Sequence, residues 1–160
     1  MAYSIDSRPS AGLPGEVHTT QLNTLGAVRE FDTGFHIYLS GLTSTAAGEW
    51  VVFDAGTFTT TRLATTSKGS CAIATAAVDA ATKWGWYGIV GSFAAFNLSA
   101  TLSNNYVYAS GTAGAGTSTL TKNAQVKRAI TRGAAPTTTG GATQTTAIDR
   151  PYIGSYDESV

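Results

Sequence analysis

Between Trp84 and Thr121 the chain carries no Asp, Glu, Lys or Arg, and is polar there only through Thr, Ser, Asn, Tyr and Gly. Such a span has no charged side chain that must stay in water. It also has no run near the ~20 consecutive apolar residues that a membrane helix needs. It must therefore be covered, either as the core of a small β domain or by other protein chains. Within it, Trp84-Gly85-Trp86-Tyr87-Gly88-Ile89-Val90-Gly91 mixes aromatic and β-branched residues with glycine. That composition suits a strand, with Trp84 and Trp86 on one face and Tyr87 and Ile89 on the other. The glycines mark bulges or close backbone approach.

The rest of the composition points the same way. Thr, Ala and Gly are abundant and Leu, Glu and Lys scarce, so the residues that stabilise exposed helices are missing. Charged residues make up 12% of the chain, about half the share in an average soluble domain. Ten basic and ten acidic side chains cancel, which leaves no excess positive charge for a nucleic-acid backbone. At 160 residues the chain is one domain that can bury a core without a disulfide or metal. Cys71 lies beside Ala72, Ile73 and Ala74 and reads as a small buried hydrophobe. Residues 1–9 lack a basic stretch followed by an apolar block, so no signal peptide is expected.

Along the chain, residues 1–16 read as an extended arm, rich in proline and glycine and without periodicity. Residues 17–133 read as the β domain. In it, Phe35, Ile37 and Leu39 alternate with His36 and Tyr38, and Glu49 to Asp54 forms a second strand, the two expected as a long-looped hairpin. Thr57 to Thr66 suits an edge strand, and Cys71 to Val78 a strand of small residues on a crowded face. Ser92 to Leu98 and Tyr106 to Ala109 are short strands, and Ser110 to Thr117 a flexible loop. Residues 134–146 are low-complexity and expected as a loop, and 147–160 as a last strand and tail. Many short strands separated by turns argue for an all-β fold, a single antiparallel β-sandwich or barrel. Its core candidates are Phe35, Ile37, Leu39, Val51, Phe53, Trp84, Trp86 and Ile89.

Catalytic constellations do not emerge. His18 and His36 have no ligand-type partner at metal spacing, and no Gly-x-Ser-x-Gly turn occurs. Glu49 and Asp54 bracket one strand and read as solvated strand ends. Gly111 to Gly116 lacks the Lys-Ser/Thr of a phosphate loop. The expectation is no catalytic residue, no cofactor and no metal. The one charge grouping is Lys122, Lys127, Arg128 and Arg132, either a solvated strand face or a surface for an acidic patch on a partner.

Several segments together carry a family resemblance. They are Tyr38 to Asp54, Thr61-Arg62-Leu63-Ala64, Val78 to Gly91, Asn105-Tyr106-Val107-Tyr108-Ala109 and Asp149-Arg150-Pro151-Tyr152-Ile153. In these the chain resembles the capsid decoration, or cement, proteins of tailed bacteriophages, over about Gly34 to Ile153. The resemblance implies a non-enzymatic virion protein, made in the host cytoplasm and located on the capsid surface. It would bind the outside of an assembled shell and stabilise contacts between major capsid protein subunits, without nucleic-acid or membrane partners. It also implies a homo-oligomer, with a trimer expected because shells offer three-fold sites. Expected contact residues are Tyr3, Ile5, Arg8, Pro9 and Leu13 of the arm, with Lys127, Arg128, Arg132, Arg150 and Tyr152. The alternative is a receptor- or glycan-binding head of a phage fibre, with Trp84, Trp86 and Tyr87 exposed as a stacking surface.

Overall fold

A computed structural model describes residues 12–99 and 101–154. Ten strands form one sheet that curls on itself, and no helix occurs among the described residues. They are β1 (Val28–Phe31), β2 (Gly34–Ser40), β3 (Trp50–Phe53), β4 (Thr60–Arg62), β5 (Gly69–Ala74), β6 (Trp84–Asn97), β7 (Tyr106–Ala109), β8 (Gly116–Thr117), β9 (Gln125–Thr131) and β10 (Ala142–Ile153). The order is β1-β2-β6-β8-β7-β9-β10-β5-β3-β4, with further pairings of β6 to β10 and to β5. All pairings between named strands are antiparallel except β6 with β8. The all-β, sandwich- or barrel-like class expected from composition is the observed one.

The long β6 organises the molecule. Its first half pairs with β2 from Ser40↔Trp84 to Gly34↔Gly91. Its second half pairs with β10 from Asp149↔Val90 to Ala142↔Asn97. Ser92 to Leu98 is therefore not a separate strand. Gly91 sits at φ +133, a conformation L side chains rarely adopt, and lets one strand bend there and change partners. Pairings β6–β10, β10–β9, β9–β7, β7–β8 and β8–β6 close a small circuit.

Two apolar cores lie on opposite faces of β3 and β5. Trp50, Val52, Cys71 and Ile73 join Phe93, Val107, Val126, Ala129, Ile148 and Ile153 on one side. Val51, Ala72 and Ala74 join Ile37, Leu39, Tyr87 and Ile89 on the other. Strands buried on both faces read as continuous apolar runs, which is why Cys71 to Ala74 shows little alternation. Each large aliphatic side chain buried here contributes ~1.5–3 kcal/mol. Burial also pushes the Cys71 thiol up to about 12. A third, aromatic layer joins Phe31, His36, Tyr38, Trp86 and Phe93 through edge-to-face contacts with centroids 5.1–5.2 Å apart. His36 is fully buried there, its Nδ1–H donating to the Gly34 carbonyl at 2.9 Å.

Of the core candidates, Ile37, Leu39, Val51, Trp86 and Ile89 are buried, and Phe53 is partly so at the end of β3. Phe35 is not core, being 39% exposed. It stands at the start of β2 opposite the exposed Glu30 of β1, beyond the cover that buries Ile37 and Leu39; the register slip beside it leaves the extra residue, Ile89, on β6. Trp84 is half-buried: it opens β6 at the end of the sheet, between Ser40 of β2 and the isolated bridge from His18.

Other expectations also change. β2 and β3 do not form a hairpin: β2 pairs with β1 and β6, and β3 with β4 and β5. Residues 142–146 are not loop but the start of β10, held by β6. The segment 110–117 is anchored rather than flexible. The Gly114 N–H donates to Leu63 O at 2.8 Å, Gly114 O accepts from Trp50 N at 2.9 Å, and 114–117 are buried. Glu49 is no solvated strand end but is 6% exposed and ion-paired with Arg62. The short strand expected at Tyr106 to Ala109 is β7, and the edge strand expected over Thr57 to Thr66 is present as the shorter β4, which pairs with β3 alone.

Candidate functional site

A groove of about 560 Å³ opens where β9 and β10 part. On β9, Ala129 pairs with Ile148 and Lys127 with Tyr152. One residue, Arg128, thus faces three on β10: Asp149, Arg150 and Pro151. Against β7, the register jumps from Tyr106↔Ile130 to Val107↔Val126, leaving 127–129 bulged on that side as well. Bulges re-aim side chains and end pairing locally. Arg128 and Arg150 take φ +59 and +47, the left-handed region that costs a non-glycine residue on the order of 1–3 kcal/mol. The bulge also explains how Val126 and Ala129, three positions apart, both reach the core.

The groove is lined by Lys127, Arg128 and Arg132, by Tyr106 and Tyr152, and by Asp149, over a floor of Ile130 and Ala147. Arg128, Arg132 and Asp149 are exposed, and Lys127 and Tyr152 half-buried. Tyr106 is 56% exposed. Arg132 is steadied by a 3.2 Å hydrogen bond from Nη1 to Asn104 Oδ1. Lys127 and Arg128 have no ion-pair partner among the described residues. The walls contain one carboxylate and no His, Cys or Ser. Such walls offer charge and apolar contact to whatever enters the groove. Among the described residues, no group of three His, Cys, Asp or Glu could hold a metal ion.

Four contact residues expected from sequence therefore come together: Lys127, Arg128, Arg132 and Tyr152. Arg150 does not join them. It borders a smaller pocket with Phe53, Cys71 and Pro151, because the bulge turns it away from Asp149. Leu13 is 60% exposed on a turn held elsewhere, where Gly15 N–H donates to Thr75 Oγ1 at 3.3 Å and His18 bridges Trp84. Residues 12–16 thus lie on the body. Tyr3, Ile5, Arg8 and Pro9 lie outside the described residues.

Sequence reasoning missed Tyr106, Gln125, Asp149 and the floor residues. A register slip carries no local signature here, although Asp149-Arg150-Pro151 does interrupt a strand pattern with proline. The stacking surface expected for a fibre head does not form from its named residues. Trp86 is 1% and Tyr87 0% exposed. At the sheet ends, β1 and β4 each pair on one side only, and β1 shows Val28 at 54% exposure. No protein-family model, curated protein or solved structure matches the chain.

Proposed function

We propose that the protein is a non-enzymatic structural component of a phage virion. It binds the outer surface of an assembled capsid and stabilises contacts between major capsid protein subunits. The observation that carries this reading is the gathering of Lys127, Arg128, Arg132 and Tyr152 around one open groove. Two one-sided edge strands, β1 and β4, offer main-chain hydrogen bonds to a neighbour. On a symmetric lattice, many copies multiply weak contacts through avidity, so a small groove with few charges suffices.

The test is co-sedimentation of the purified chain with purified capsids, with electron micrographs of the pellet. Decorated shells with the wild type, and at least tenfold weaker decoration with Lys127→Glu/Arg132→Glu, are the expected results. Bare shells with the wild type would end the proposal. A chain lacking residues 1–11 tests the arm separately while keeping the turn at 12–16. Light scattering of the free chain tests the trimer.

A further inference from the structure

We infer that the bulged groove between β9 and β10 is a docking site for a short acidic stretch of polypeptide in extended conformation. The inference rests on the capsid reading only in naming a shell subunit as the source of that stretch. Three observations carry it. Lys127, Arg128 and Arg132 stand against Asp149 alone, a local cationic excess on a chain whose total charge is zero. Ile130 and Ala147, both half-buried, form an aliphatic floor between two tyrosines. And the ladder is interrupted on both sides of Arg128, so the strain at that residue is placed where a cation is presented to solvent.

Charge complementarity selects an acidic occupant. The neutral chain has no long-range field to gather a polyanion such as nucleic acid, so recognition is local and short. An extended peptide alternates its side chains between two faces. Carboxylates at every second position can meet Lys127, Arg128 and Arg132, while apolar residues between them settle on Ile130 and Ala147. Tyr106 and Tyr152 close the ends as amphipathic walls with low entropy cost.

The probe is a fluorescein-labelled peptide, acetyl-Glu-Leu-Glu-Leu-Glu-Leu-amide, titrated with the full chain and read by fluorescence anisotropy. Saturable binding is expected, with a tenfold or greater loss in Lys127→Gln/Arg132→Gln and in 1 M NaCl, where the Debye length is about 3 Å. The same peptide with Lys for Glu should not bind. Arg128→Gly, which relieves the left-handed strain while removing the cation, guards against misfolding and should weaken binding without lowering the melting temperature. Equal binding of the Glu and Lys peptides overturns the inference, as does undiminished binding by all variants. Tighter binding of an oligothymidylate or a heparin oligosaccharide would overturn the assignment to polypeptide. Binding seen only after truncation at Gly154 would make the chain's own Asp157 and Glu158 the competing occupant and overturn the assignment to a shell subunit. Capsid decoration is scored in parallel. Peptide binding without decoration leaves the groove assignment standing and removes the capsid reading, and decoration without peptide binding does the reverse.

Discussion

The Glu49–Arg62 pair is the sharpest test of how the two ends of the β3–β4 region are held. The Glu49 side chain is 7% exposed and that of Arg62 29%. Arg62 Nε donates to Glu49 Oε2 at 3.1 Å, Nη2 donates to Oε1, and the Ala46 N–H donates to Oε2 at 3.0 Å. A Cβ placed on Gly114 would lie 2.8 Å from Glu49 Cδ, so the 110–115 segment closes directly over the carboxylate. Arg62→Met leaves that carboxylate buried with a single backbone donor. Removing one partner of a buried pair costs ~3–5 kcal/mol, and partial exposure of Arg62 places this case near the lower end, at about 3 kcal/mol. With a urea m-value of about 2 kcal/mol/M, the midpoint falls by ~1.5 M. Glu49→Met/Arg62→Met removes both charges and should return to within ~1 kcal/mol of wild type. Urea unfolding followed by tryptophan fluorescence measures all four corners of the cycle. A shift under ~0.5 M for Arg62→Met, or a double variant no more stable than Arg62→Met alone, would refute the reasoning that burial makes this pair interdependent.

Gly88→Ala should destabilise by ~1–3 kcal/mol through overpacking, because the new Cβ would lie 2.6–2.7 Å from three ring carbons of the buried Phe93. A thermal melt of Gly88→Ala/Phe93→Leu should recover most of that loss, and no recovery would place the strain elsewhere. Burial holds the His36 imidazole below its ordinary 6.5, against the opposing hydrogen bond to Gly34 O. As pH falls below 6.5 the unfolded chain takes up a proton that the folded chain refuses, so this contribution to stability is full above 6.5 and is lost on acidification. His36→Phe should flatten stability between about pH 7 and pH 5, measured by urea midpoints, and an unchanged slope would show that other groups set it.

Much of the fold was legible because it depends on local composition. The strand at Trp84 to Gly91, with Trp86 on one face and Tyr87 and Ile89 on the other, follows from pleat geometry. The small residues at Cys71 to Ala74 were recognisable as a crowded strand. Phe35 follows the alternation of Ile37 and Leu39 but lies at the start of β2 opposite the exposed Glu30, and a sequence pattern does not show where cover ends. Residues 142–146 and 114–117 were misjudged for a different reason. Thr, Gly and Ala look like loop until β6, Trp50 and Leu63 supply hydrogen-bond partners and cover. The groove was half legible. Its cations stood out as the one charge cluster, but Tyr106 and Asp149 reached it only through pairing with distant strands.

The charge-free span from Trp84 to Thr121 determined by itself that this chain is a β protein with a covered interior, since nothing in it needs bulk water and little in it favours helix. Tertiary structure alone decided how that span divides. Trp86, Tyr87, Phe93 and Val107 became core, and even the neutral 114–117 segment was buried, while Leu102, Tyr106 and Leu120 stayed exposed. It also decided that Arg128 and Arg132 gather at a bulge while Arg150 turns away. The physical reason is that side-chain type is a property of one residue, whereas register belongs to pairs of strands. A slip of one position moves a side chain to the opposite face of the sheet.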